Sequence, residues 1–252
     1  MVTAETVSLS LGTLGMVLGA VIWYRLWAGS DATTRERGAF VWIAVIPGAA
    51  AVAYALMALD IGFISVGGVE VPVLRYVDWL LTTPVLIGYA AHAAGASRRT
   101  IGWIVAVDVA MIAIGWAGVV TTGTTRVAAF SASSFCYLGL LYALYGVLPD
   151  VAAERSGPRR RLFEVLQNHV GLLWVTYPVV WAAGPLGFGY VETVGVTLLI
   201  TFVDVMAKTP YVYFVSVHRS AFTDAAETAT TGSTDSPVGT PAAADGGEAT
   251  AD

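Results

Sequence analysis

Seven apolar stretches, each about as long as a membrane-crossing helix, dominate this sequence. They cover residues 5–27, 39–60, 74–95, 100–121, 124–148, 162–183 and 191–217, and a helix needs about 20 apolar residues to cross a bilayer. Only 12% of the residues are charged, whereas a soluble domain has about 25%. We therefore predict an all-α membrane protein with a seven-transmembrane helix bundle, formed as one domain over residues 1–220.

The link between the second and third spans, Ile61 to Pro72, is unusual because β-branched residues surround Gly67-Gly68. Two glycines in such a setting are typical of the two-residue turn of a β-hairpin. We therefore expect a short β-hairpin between helices 2 and 3. The last segment, residues 221–252, has almost no large apolar side chain, so we predict a disordered tail there.

The arginines predict how the bundle is oriented in the membrane. Most of them lie in or beside the first, third and fifth links, or after the last span: Arg25, Arg35, Arg37, Arg98, Arg99, Arg155, Arg159, Arg160, Arg161 and Arg219. Positively charged residues collect on the cytoplasmic side of a membrane. In a multi-pass protein of the cell membrane, the amino terminus and the hairpin should then be extracellular, and the carboxyl terminus and tail cytoplasmic.

Lys208 is the only lysine of the chain, and it lies inside the last apolar stretch. An ionisable group in hydrocarbon is costly, and such residues usually mark a functional site. Asp204 precedes Lys208 by four residues, so both side chains lie on one face of a helix about one turn apart. Two other interpretations are an ion pair that only fixes helix packing and a lysine that extends to the membrane surface.

The third span begins with a polar face. Arg75, Asp78 and Thr82 are spaced by three and four residues, which places them on one side of a helix. Inside the bundle, Arg75 and Lys208 would balance the carboxylates of Asp78 and Asp204. A desolvated amine is a nucleophile that can form a Schiff base with a carbonyl ligand, and the protonated product needs a carboxylate as counterion.

Aromatic residues indicate which kind of carbonyl ligand would fit. Six rings lie on the spans that carry the charged residues or on their neighbours: Tyr76, Trp79, Phe130, Trp174, Tyr177 and Trp181. Each ring alone is more often ordinary packing or part of an interfacial belt. Together with a buried lysine, the whole set indicates an enclosed site for a long apolar ligand.

Three segments resemble the archaeal microbial rhodopsins: RYVDWLLTTP on the third span, WVTYPVVW on the sixth and FVDVMAK on the seventh. The resemblance covers about residues 1–220. It implies all-trans retinal bound covalently to Lys208 as a protonated Schiff base, with Asp78 as primary counterion and proton acceptor, Asp204 as second counterion and Arg75 beneath them. The implied retinal pocket consists of Tyr76, Trp79, Thr83, Met111, Phe130, Trp174, Tyr177 and Trp181.

Several positions favour a sensory member of that family over a pump. Proton pumps of the family carry a carboxylic acid eleven residues after the counterion, where this chain has Tyr89, and a phenol is a far weaker acid. Leu186 and Val196 stand where the proton-release glutamates of the pumps are expected, although Glu192 is nearby. Return of the proton should therefore be slow and the activated state long-lived. A light-driven outward proton pump is the alternative.

Other segments resemble sensory rhodopsin I or the closely related middle or third-type sensory rhodopsins. NHVGLLW, Asn168 to Trp174, contains His169, which affects signalling and proton movement in that group, and DVMAKTPYVYF, Asp204 to Phe214, is similar to its seventh helix. Cys136 and Tyr137 depart from its usual Phe and His. The resemblance implies a phototaxis receptor that signals through a methyl-accepting membrane transducer at helices 6 and 7.

The remaining features exclude several other functions. The sequence has no metal-ligand cluster and no phosphate-binding glycine loop, so we expect no enzyme, no metal site and no nucleic-acid partner. The expected partners are membrane lipids and the transducer, with a homo-oligomer left open. An acidic tail and a scarcity of lysine suit the salty cytoplasm of a halophilic archaeon. A ligand-gated receptor or transporter with seven helices and no chromophore is the second rival.

Overall fold

The computed structural model describes residues 3–30, 40–155 and 157–218. The predicted tail, residues 221–252, lies outside the described residues, as do Arg35, Arg37 and Arg219. Over the described ranges the chain forms seven helical spans and one two-stranded sheet. The predicted seven-helix bundle is confirmed.

The helices follow one another through short links. They are α1 (Ala4–Ala28), α2 (Trp42–Ala58), α3 (Val73–Ala94), α4 (Arg98–Val120), α5 (Gly123–Ala153), α6 (Gly157–Trp174), α7 (Thr176–Ala183) and α8 (Thr193–Val217). α6 and α7 are the two parts of the sixth span, and α8 is the seventh. The predicted limits agree to within three residues, except that α5 ends at 153 instead of 148 and α6 begins at 157 instead of 162.

Two spans depart from regular α-helix. In α5, Ala143–Val147 forms a π-helical turn, and the side-chain nitrogen of Gln167 donates to the Leu144 carbonyl within it over 2.9 Å. The sixth span breaks at Val175, between α6 and α7. Pro178 explains the break, because it has no N–H to donate to the Trp174 carbonyl one turn earlier.

The predicted hairpin between the second and third spans is confirmed. Strands β1 (Phe63–Val66) and β2 (Val69–Pro72) pair antiparallel, with Val66 opposite Val69. Gly67 and Gly68 form the turn with φ values of 59° and 80°. Residues with a Cβ adopt such angles only with strain, so the two glycines permit this tight connection.

The outer surface of the bundle carries many large apolar side chains. Leu14, Trp103, Phe135, Leu172 and Phe202 lie on five different helices, and each is more than 60% exposed. Among the described helices, α1, α4, α5 and α8 are long and apolar enough to cross a membrane. An apolar exterior around a packed interior is the pattern of a multi-pass membrane protein.

A glycine lets α1 approach its neighbours closely. A Cβ at Gly12 would lie 2.5 Å from a ring carbon of Tyr54 on α2 and 2.7 Å from Cγ2 of Thr201 on α8. Small residues at such contacts are the usual means by which membrane helices pack. Gly12 therefore sets the distance between the first, second and seventh spans.

Gly12→Ala should destabilise the bundle by about 1–3 kcal/mol, because the added methyl group overpacks the contact with Tyr54. Gly48→Ala is the matched control, since nothing lies within 4 Å of a Cβ at that helical position. Thermal unfolding of the two purified variants, followed by circular dichroism, should show a lower midpoint only for Gly12→Ala. Equal midpoints would mean that α1 moves away without cost.

Candidate functional site

Lys208 and Asp78 form a buried ion pair inside the bundle. Nζ of Lys208, on α8, donates to Oδ2 of Asp78, on α3, and each residue is 1% exposed. Oδ1 of Asp78 has no hydrogen-bond partner among the described residues. The Thr82 hydroxyl donates to the backbone carbonyl of Asp78 over 2.8 Å. The charge of Lys208, on α8, is therefore balanced by Asp78 of α3 rather than by Asp204 of its own helix.

Asp204 is held by three neutral donors. The hydroxyl groups of Tyr54 and Tyr177 lie 2.6 Å and 2.5 Å from its Oδ2 and Oδ1, and the indole nitrogen of Trp79 lies 3.1 Å from Oδ1. Asp204 is fully buried, and these bonds compensate the loss of water around it. Tyr54 was not among the predicted site residues. Its signal is that it carries the only hydroxyl group between residues 40 and 59.

Arg75 lies one turn before Asp78 on α3 and is 5% exposed. It forms no ion pair with Asp78 or Asp204 among the described residues, and its Nε and Nη2 have no hydrogen-bond partner there. The side chain lines the cavity beside the site. Buried guanidinium groups are normally hydrogen-bonded, so these two nitrogens are donors available beside the cavity.

A cavity of about 200 Å³ adjoins the ion pair and is lined by Lys208 and Asp204. All eight residues of the predicted pocket line it: Tyr76, Trp79, Thr83, Met111, Phe130, Trp174, Tyr177 and Trp181. Trp79 packs edge-on against Tyr76 and Tyr177 with ring centroids 5.2 Å apart in both pairs. Phe130 stacks on Trp181 at 4.4 Å. The structure thus brings together rings from three spans around one lysine.

α5 contributes more of the cavity wall than its sequence indicates. Ser133, Ser134 and Tyr137 line the cavity in addition to Phe130. The sequence of α5 mixes small, hydroxyl-bearing and aromatic residues without one distinct polar face, so it gives no clear inward face. Among the described residues no group of His, Cys, Asp and Glu could hold a metal ion.

Thr83 connects the cavity wall to a further buried carboxyl group. Its hydroxyl lies 2.7 Å from Oδ2 of Asp108 on α4 and 2.9 Å from the Trp79 carbonyl. One hydroxyl proton cannot serve two acceptors fully. The arrangement is satisfied when Asp108 is protonated and donates to Thr83, which in turn donates to the carbonyl.

His169 joins the sixth and seventh spans beside the lysine. Its Nε2 lies 3.1 Å from the carbonyl oxygen of Ala207, and its ring also interacts with the backbone of Met206. Pro210 leaves the Met206 carbonyl without its helical donor, so the histidine approaches α8 where its backbone is incompletely bonded. His169 does not line the cavity.

The chain is similar in sequence to known proteins over most of its length. The pattern of the bacteriorhodopsin-like protein family matches residues 3–221. The chain is 44% identical to sensory rhodopsin-1 of Halobacterium sp. (strain SG1), over 95% of this chain and 93% of that protein. It is 41% identical to the sensory rhodopsin of Halorubrum sodomense, over 94% and 93%.

A solved structure shows the same fold. The thermophilic rhodopsin from Rubrobacter xylanophilus superposes with a TM-score of 0.81 at 33% identity, covering 87% of this chain and 98% of that one. The match of the family pattern and the relatives above 40% identity both extend over most of this chain. The chain therefore belongs to the bacteriorhodopsin-like family, among relatives that are sensory rhodopsins of halophilic archaea.

Proposed function

We propose that this protein is a light receptor for phototaxis that holds all-trans retinal at Lys208 and signals through a membrane transducer. The observation that carries the proposal is the buried Lys208 amine, which is paired with a carboxylate and borders a cavity walled by aromatic rings. An apolar aldehyde requires these features: an amine for attachment, a counterion and an apolar enclosure. When bound, retinal supplies the absorption of visible light and a light-driven change of shape.

Asp78 is the proton acceptor in this proposal. Its Oδ2 faces the nitrogen of Lys208, and its Oδ1 has no partner among the described residues. Both oxygens of Asp204 are engaged by donors from Tyr54, Trp79 and Tyr177. Asp78 therefore has an oxygen available for a proton, whereas Asp204 serves as the second counterion. Arg75 is the cation that offsets the remaining negative charge.

The sixth and seventh spans are suited to carry a signal away from Lys208. Pro210 interrupts the hydrogen bonding of α8 two residues after the lysine, and the sixth span is broken at Val175. His169 bonds to the Ala207 carbonyl, so movement of α8 beside the lysine is transmitted to α6. A two-helix, methyl-accepting transducer packed against the outer faces of these spans would read the displacement, which requires two arrangements of similar energy.

The proposed orientation rests on exposed arginines at one end of the bundle. Arg98, Arg99 and Arg160 are exposed at the end opposite the hairpin, since α3 runs from the hairpin to the link that precedes Arg98. Cytoplasmic links of membrane proteins are enriched in arginine and lysine. The hairpin and the amino terminus are then extracellular, and the carboxyl terminus is cytoplasmic.

The rate of recovery after a flash tests whether the protein is a receptor or a pump. This rate should depend on Tyr89. Tyr89 lies on α3, partly buried against the core, where a carboxylic acid would return a proton to Lys208. Tyr89→Asp should speed recovery by about tenfold or more, because a carboxylic acid is a far better donor than a phenol. Tyr89→Phe, which keeps the ring, should recover at the wild-type rate. Flash photolysis of the purified, retinal-loaded proteins measures this.

Acidification of the medium by illuminated cells separates the receptor from the pump. Wild-type protein, illuminated without a transducer, should give only weak acidification of the medium, because each cycle is slow. Robust and sustained acidification by wild-type protein would favour an outward proton pump and contradict the sensory proposal. Recovery of Tyr89→Asp at the wild-type rate would show that the donor position does not limit the cycle.

A further inference from the structure

Tyr211 joins the seventh span to the third span about one turn beyond Lys208. Its hydroxyl group, on α8, donates to the backbone carbonyl of Leu86, on α3, over 2.7 Å. Tyr211 is fully buried, and Leu86 is 1% exposed. The third and seventh spans both run away from the hairpin end, so this hydrogen bond lies between Lys208 and the opposite end of the bundle. It ties α3 to α8 on the side from which a proton must return.

The contact involves the wall of the cavity and a weakened part of α8. Leu86 lines the cavity together with Lys208. Pro210 directly precedes Tyr211 and cannot donate to the Met206 carbonyl one turn earlier. The backbone of α8 is therefore held less firmly by its own hydrogen bonds at this point. The hydrogen bond from Tyr211 compensates by holding this part of α8 against the cavity wall on α3.

Apolar side chains fill the bundle beyond this contact. Ala90 of α3, Leu166 of α6 and Val212 of α8 are fully buried and belong to one hydrophobic cluster with Tyr211 and Leu86. A close-packed apolar interior holds no water, so water reaches the site from this end only when the spans separate. Separation of α3 from α8 requires the hydrogen bond of Tyr211 to break.

We propose that Tyr211 is a positioning residue that keeps α3 and α8 closed beside Lys208 and thereby slows the return of a proton to the Lys208 nitrogen. The inference rests on the proposed function, because that nitrogen first loses its proton to Asp78. When the hydrogen bond to Leu86 breaks, water enters from the end opposite the hairpin. One proton then passes from this water to the nitrogen, and the solvent at that end has one proton fewer.

Tyr211→Phe tests the proposal because it removes the hydroxyl group and keeps the ring. The Leu86 carbonyl retains its helical donor, the amide of Ala90, so the variant should fold. Tyr213→Phe is the matched control, since Tyr213 lies on the same helix and is 47% exposed. After a flash, the retinal-loaded Tyr211→Phe protein should recover about three- to tenfold faster than wild-type protein, the range that one neutral hydrogen bond supports. Tyr213→Phe should recover at the wild-type rate.

A small weak acid separates water entry from other causes of faster recovery. Azide carries a proton inward as hydrazoic acid, so the slope of the recovery rate against azide concentration should rise about three- to tenfold in Tyr211→Phe. The visible band should keep its position, because Tyr211 does not line the cavity. Faster recovery with the wild-type azide slope would overturn the proposal, since entry from solvent would not then limit the return of the proton.

Hydrogen–deuterium exchange tests the same contact without retinal. In the apoprotein, the backbone amides of residues 211–216 should exchange about three- to tenfold faster in Tyr211→Phe than in wild-type protein or Tyr213→Phe. Mass spectrometry of the α8 peptides measures this. Wild-type exchange or wild-type recovery in Tyr211→Phe would overturn the assignment of Tyr211. Failure of the wild-type protein to form a visible band with retinal would instead refute the proposed function, while exchange would still test the contact.

Discussion

Lys208→Ala is expected to abolish the visible absorption band that the apoprotein forms with all-trans retinal. The chain has no other lysine, so no other side-chain amine can attach an aldehyde within the cavity. The loss should be complete, because attachment and the shift of absorption into the visible both depend on that nitrogen. Adding retinal to membranes that contain the variant and recording the visible spectrum measures the effect.

The control has to separate loss of attachment from loss of folding. Lys208→Ala leaves the Asp78 carboxylate buried without its partner, which costs about 3–5 kcal/mol. Lys208→Ala combined with Asp78→Asn removes that charge, so the double variant should fold and still form no band. Met206→Ala, two residues away on the same helix and 39% exposed, should keep the band. A wild-type band in the folded double variant would refute attachment at Lys208.

Asp78→Asn should shift the band to longer wavelength and lower light-driven deprotonation of the Lys208 nitrogen by about 100-fold or more. The carboxylate stabilises the positive charge on that nitrogen in the ground state, so its removal reduces the energy of excitation. An amide also cannot accept the proton. Absorption spectra and flash photolysis of the retinal-loaded variant measure the two effects.

Asp204→Asn is the matched control for proton acceptance. Because three donors already engage Asp204, its replacement should alter the band and the stability but leave deprotonation largely in place. Wild-type deprotonation in Asp78→Asn together with its loss in Asp204→Asn would reverse the two roles. Because the carboxylates lie close to one lysine, the two variants should be compared over the same pH range.

The sequence predicts the spans well because length and hydropathy are local properties. The hairpin follows for the same reason, since Gly67-Gly68 specifies a turn whatever surrounds it. The π-helical turn of α5 and the break at Val175 were not predicted. The first depends on Gln167 of another helix, which bonds inside the turn. The second has a local cause, Pro178, which lacks the N–H that would continue the helix.

The residues of the site were predicted less completely than the elements of the fold. The six pocket rings were found because rings and a lysine are conspicuous in an apolar sequence, whereas Thr83 and Met111 were implied only by the family resemblance. Which carboxylate pairs with Lys208 depends on how α3 and α8 face each other, and helical spacing alone suggests Asp204 as readily as Asp78. Tyr54 was missed because its partner is 150 residues away. The sequence pattern of one span does not show which residues of a distant span it contacts.

The π-helical turn of α5 also affects how this span can change in length. Leu140, Leu144, Leu148 and Ala152 are all buried and spaced by four residues, which in a regular helix would rotate them progressively by about 120°. A wider turn that takes up roughly one extra residue removes most of that rotation. During evolution, relatives could therefore gain or lose one residue here while Phe130 and Tyr137 keep their place in the cavity wall.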